Sequence, residues 1–161
     1  MALLLPLAPE HFSNAAATNF PQYISVMPGG AYRSALAFDN AVSQKCISIA
    51  LTMPAFTGAL TLKVLFAIAA TSGNVQFRAQ IENNKSFNCS TTESYDTANS
   101  SGAVSVPAST FHSKSFDITL TNNDTLTEGD TFKISLDRDV SVGSNASGLC
   151  YVLGVSLWDE S

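Results

Sequence analysis

Charge is the scarcest commodity in this sequence. Asp, Glu, Lys and Arg together make up 13% of its 161 residues, and the eight Lys and Arg stand singly along the chain. Nucleic-acid binding needs cations clustered against phosphates, so isolated cations on a chain of net charge −5 argue against that partner. Histidine occurs only as His11 and His112, and nothing in the sequence marks either as held by the buried carboxylate that a Ser-His-Asp triad requires. Three cysteines, Cys46, Cys89 and Cys150, lie far apart with no Cys-x-x-Cys pair, which speaks against a disulfide framework or a zinc site. They read as small, semi-buried residues in a reducing compartment. The longest apolar run, Val64 to Ala70, is strand length, whereas a bilayer span needs about 20 residues. No P-loop, no Gly-x-Gly-x-x-Gly and no His-Glu-x-x-His occurs. No membrane, cofactor or metal is therefore expected.

The start of the chain, through Pro9, has an apolar look, but no Lys or Arg precedes Arg33 and Pro6 interrupts the run. A signal peptide is not expected. The Asn-x-Ser/Thr matches at Asn84, Asn88, Asn99, Asn123 and Asn145 then read as accidents of composition.

What the sequence does have is apolar and uncharged polar. With 45% hydrophobic residues it can build the core of one domain. Ser, Thr and Asn exceed a quarter of the chain, the habit of β-rich proteins with many turns. Residues 1–30 differ from the rest: Pro6, Pro9, Pro21, Pro28 and Gly29-Gly30 forbid a continuous helix or a central strand. This segment is expected to be an extended N-terminal arm, wrapping its own domain or reaching a partner, with Phe12, Phe20, Tyr23 and Ile24 as contact residues. Ala15-Ala16-Ala17 fits a turn of helix capped by Ser13 or Asn14.

Residues 31–161 read as a domain of strands. Ser34 to Phe38 is a short one. In Gln44 to Met53, Ile47, Ile49, Leu51 and Met53 are expected on one face. Leu60 to Ala69 is apolar on both faces, which suits a strand buried twice or placed at a subunit contact. Val75 to Glu82, Phe116 to Thr121 and Thr131 to Asp139 alternate cleanly. Leu149 to Trp158 closes the chain, with Leu149, Tyr151, Leu153, Val155 and Leu157 expected inside. Asn83 to Ser113 is a long polar stretch with weak strands near Tyr95–Ala98 and Ala103–Val106. Seven or eight strands without a helical period imply an all-β, antiparallel sandwich or barrel.

Two features invite chemistry. Asp137 and Asp139 share one strand face, a pattern open to calcium or glycosidase chemistry. Arg138 and Lys133 lie close by, so a surface ion-pair ladder explains the carboxylates equally well. Trp158 can stack on a sugar ring, cap the core or fill a partner's pocket. No catalytic residue emerges, and the chain is read as a non-enzyme.

The segments Phe116–Asp124, Glu128–Asp139 and Leu149–Leu157, with Leu36–Asp39 and the strand through Cys46, resemble small jelly-roll virion proteins of tailed bacteriophages, above all head decoration or cement proteins. The resemblance lies in strand pattern and turn chemistry over most of Tyr32 to Asp159. It implies a jelly-roll homotrimer on the outer capsid surface of the virion, made in the host cytoplasm and bridging subunits of the major capsid protein. The alternative is a carbohydrate- or receptor-binding β-sandwich module of a tail fibre or spike, using Trp158 and the 83–113 loop, with calcium at Asp137/Asp139.

Overall fold

The computed structural model describes residues 1–14, 18–84 and 93–161. The apolar alternation resolves into β1 (Ala2–Leu7), β2 (Phe12–Asn14), β3 (Gln22–Val26), β4 (Tyr32–Phe38), β5 (Gln44–Ser48), β6 (Leu51–Thr52) and β7 (Leu60–Ile68). There follow β8 (Asn74–Val75), β9 (Phe77–Asn83), β10 (Asn99–Ser100), β11 (Val104–Ser105), β12 (Lys114–Thr119), β13 (Thr131–Arg138) and β14 (Cys150–Asp159). A front sheet runs β12-β7-β14-β4-β3, with β1 beside the second half of β14. A back sheet runs β10-β9-β13-β5-β2, with β6 beside the first residues of β13. The short strands β8 and β11 pair separately, and all these strand pairs are antiparallel. The fold is a jelly-roll β-sandwich.

Period-2 alternation puts one face of each sheet inside. Leu62, Val64 and Phe66 of β7 meet Phe77 and Ile81 of β9 and Ile134 and Leu136 of β13, all fully buried. Phe77 ties the layers together: its ring lies edge-on to Phe38 at 5.2 Å and stacks on Phe116 at 5.5 Å.

Of the two expectations for residues 1–30, the pairings fit a segment laid along its own domain. Among the described residues this segment supplies three edge strands, each with a single neighbour: β1 on β14, β2 on β5, β3 on β4. Proline explains the placement, because an edge strand leaves one side of its ladder unpaired and Pro6 has no N–H to donate. Ala15–Ala17, the expected helical turn, lies outside the described residues.

Three strand readings need correction. The run 44–53 is broken after Ser48, whose hydroxyl accepts the Ile134 N–H at 2.9 Å and donates to the Ile49 carbonyl at 2.8 Å. That side chain takes the place of a ladder bond, so Cys46 points into the core and Ile49 is 50% exposed. A bulge between Val152 and Gly154 switches the phase of β14. Cys150 and Val152 face inward, then Val155 and Leu157, leaving Tyr151 in a separate cluster on the outer face. The third concerns Arg138, which lies in the interior and is fully buried.

Candidate functional site

The bulge in β14 decides what the front sheet shows to solvent. With Val155 and Leu157 turned inward, Gly154, Ser156 and Trp158 are turned out. Register then sets them in rows across four strands. Trp158 stands between Thr61 of β7 and Leu3 of β1. One row further, Ser156 lies between Lys63 and Pro6, with Asp117 of β12 beyond Lys63. In the next row Gly154 is beside Leu65, with Ser115 beyond it.

The chemistry of this strip is that of an aromatic ring among hydrogen-bonding groups. Trp158 is half-buried; its indole N–H donates to the Ser156 hydroxyl at 2.7 Å, and Lys63 Nζ lies 5.6 Å from the ring centroid. The Lys63 ammonium also donates to both oxygens of Asp117, at 3.1 and 3.3 Å. These side chains are 25% and 52% exposed, so the pair is worth at most about 1 kcal/mol and is readily exchanged for a ligand's hydroxyls. Because Gly154 has no side chain, a groove of about 440 Å³ opens beside it, with Leu65 and Pro6 as apolar walls and Lys63, Ser115 and Ser156 as polar ones. A Cβ at Gly154 would meet nothing nearer than the Leu7 carbonyl at 3.9 Å, so the groove is set by the missing side chain.

The two carboxylates singled out in the sequence lie elsewhere, on the outer face of the back sheet. Asp137 is held by Arg78, whose Nε and Nη2 donate at 2.9 and 2.6 Å. Asp139 accepts from the Ser141 hydroxyl at 2.6 Å and from Gln76 at 3.2 Å, with Arg78 Nη1 at 3.6 Å. Burial pushes the Asp137 carboxyl above its ordinary range while Arg78 opposes the shift; at Asp139 the Ser141 hydroxyl holds the carboxyl below it. An ion-pair network does form, but its cation is Arg78, a residue the sequence reading passed over; Arg138 faces the core instead. The signal was present: Arg78 and Asp137 are cross-strand neighbours once β9 and β13 pair.

The remaining expected contact residues are dispersed. Phe12, half-buried, packs against the main core. Phe20 is half-buried and its carbonyl accepts from Gln44 at 2.9 Å. Ile24 joins Met27, Ala35, Ala37, Ala67 and Tyr151 in a small cluster outside the front sheet. Tyr23 is 51% exposed and donates to Glu10 at 2.9 Å. Nor do the described residues of the polar stretch 83–113 join Trp158. Asp96 borders the back sheet, its N–H on the Ile81 carbonyl, while Phe111 packs on Tyr151 at the other end of the front sheet. Cys89 and the Asn88 match lie outside the described residues.

No family model and no curated relative matches the sequence. The fold has counterparts among solved structures. A family 35 carbohydrate-binding module from Clostridium thermocellum is 12% identical, with 98% of this chain and 99% of that one covered at a TM-score of 0.55. The carbohydrate-binding module of Cellvibrio mixtus lichenase 5A, solved with cellotriose, is 10% identical over 99% and 100% of the two chains, TM-score 0.52. CBM35 from Cellvibrio japonicus Abf62 is 13% identical over 98% and 95%, also at 0.52. At these identities the likeness is one of fold.

Proposed function

We propose that this chain is a carbohydrate-binding β-sandwich module that holds a glycan on the outer face of its front sheet and does no bond-breaking chemistry. The observation that carries the reading is the strip from Trp158 to Gly154. An indole ring there is followed by Ser156, Lys63 and Asp117 and then by an open groove. A sugar ring offers an apolar C–H face to an aromatic ring and a rim of hydroxyls to charged and hydroxyl side chains, and this strip supplies both. The fold shared with modules named for carbohydrate binding supports the same reading. Attachment to a phage tail fibre or spike is the setting that the sequence resemblance would give it.

Affinity electrophoresis against cellulosic, xylan and mixed-linkage glucan polymers tests the proposal. The expected result is retardation by at least one polymer. Trp158→Ala should weaken it at least tenfold, about 1.4 kcal/mol, and Gly154→Leu, which fills the groove, should weaken it with little change in melting. If no polymer retards the protein, or both variants behave as wild type, the reading falls.

A second reading keeps the trimeric cement protein on a capsid. It draws on the β3–β4 hairpin, where Tyr23, Val26 and Tyr32 are 51%, 43% and 89% exposed. A three-chain mass in light scattering with saturable binding to undecorated heads would favour it.

A further inference from the structure

Beyond Gly154 the front face continues into a second depression, of about 260 Å³. Its floor is apolar, made by Met27, Ala67, Phe111 and Leu153, while Arg33 and Ser113 stand at its polar side. The two depressions follow the same strands: Leu65 lines the first and Ala67 the second, two residues on along β7, with Ser115 and Ser113 in the same relation. From Trp158 to Leu153 is five residues of strand, about 16 Å at strand rise, the reach of an extended chain of several sugar units.

Arg33 is what makes this end distinctive. The other described cations are engaged: Lys45 with Gln80, Lys63 with Asp117, Arg78 with Asp137, Lys114 with the Ser105 carbonyl, Lys133 with Glu93 and Arg138 with buried carbonyls. Among the described Lys and Arg residues Arg33 alone has neither a side-chain hydrogen bond nor an ion pair, and it is exposed. Among the described residues no Asp or Glu lines the depression, so a ligand's negative charge entering it is not opposed there, although the chain as a whole carries −5.

We propose that the second depression takes an anionic substituent, a carboxylate or a sulfate ester, of a glycan laid along the front face, with Arg33 as its ion-pair partner and the Ser113 hydroxyl as a further donor. A guanidinium fork matches the paired oxygens of either group. This inference rests on the carbohydrate reading and narrows it to acidic glycans.

The test is calorimetric titration with three sets of oligosaccharides on one xylan backbone: unsubstituted, glucuronate-bearing and sulfated. Wild type should bind at least one charged set about five- to tenfold tighter than the neutral one, the gain of a single charge-assisted contact, and the preference should shrink with added salt. Which charged set is preferred tells carboxylate from sulfate. Arg33→Gln should erase the preference and leave neutral binding unchanged, while Arg33→Lys keeps part of it; with no side-chain hydrogen bond or ion pair to lose, neither should alter melting. Equal binding of all three sets, or a preference that survives Arg33→Gln, overturns the assignment of Arg33 while Trp158-dependent binding stands. Absence of binding to every set overturns both.

Discussion

Methionine in place of Arg138 tests how one end of the sandwich is held shut. The guanidinium is fully buried. Its Nη1 donates to the carbonyls of Phe38 at 3.1 Å and Gly148 at 3.0 Å; its Nη2 donates to the Ala146 carbonyl at 2.9 Å and to Asn145 Oδ1 at 3.2 Å. These bonds fasten the Ser/Gly-rich segment 140–149 to the end of β4. Methionine has a similar reach and no donor. The acceptors at Gly148 and Asn145 are half-exposed and regain water, but the Phe38 and Ala146 carbonyls are buried and do not. Two stranded carbonyls at about 1–3 kcal/mol each give ~4 kcal/mol. Relief of guanidinium burial, which also holds its pKa below the ordinary value, returns part of that. The net expectation is a loss of ~3 kcal/mol, or roughly 6–12 °C in melting for a chain of this length. Urea unfolding with linear extrapolation measures the first and calorimetry the second. A buried ion pair can often be swapped for apolar groups without loss, but here the acceptors are backbone and cannot be removed with it. A variant less than ~1 kcal/mol below wild type, or above it, would refute this account.

Two further outcomes follow from buried or anchored groups. The Thr57 N–H at 2.9 Å, with the Ser161 and Gly58 N–H groups, holds the Asp159 carboxyl below its ordinary value of 3.8. Its contribution is therefore complete above that value and lost as pH falls through the lower folded pKa; melting should drop as the pH is taken below 3.8, and Asp159→Asn should flatten that drop. Burial pushes the Cys150 thiol up to about 12 and raises Cys46 as well, so both should resist a thiol reagent such as DTNB in the native protein and react on unfolding. Mass spectrometry of the labelled peptides, reading Cys46 and Cys150 separately, checks this; rapid native labelling of either would contradict their burial.

The strands of the domain were legible because a residue pointing into a two-layer core must be apolar, and the pleat repeats every second residue. Phe77–Ala79–Ile81 and Phe132–Ile134–Leu136 show it, with the expected faces inward. Where a side chain entered the ladder, as at Ser48, or an extra residue was accommodated, as at the β14 bulge, alternation misled. Neither event has a signature in one strand read alone, because both are settled by the strand opposite. The same holds for the first thirty residues: proline barred them from a central position, but an edge position requires a neighbour with a free side, which sequence spacing does not reveal.

By itself the sequence determined the class of the fold, the alternating strands that build its core, and the lack of clustered cations that argues against nucleic acid; these follow from composition and a local period. Tertiary structure alone decided that Trp158, Lys63 and Asp117 share one face while Asp137 and Asp139 occupy another. It also decided that Arg78, not Arg138, holds those carboxylates, and that Arg33 stands unpartnered beside an apolar depression. The reason is one of distance: such groups lie tens of residues apart along the chain, and only the register between strands, set by packing, brings them within reach of one ligand or of one another.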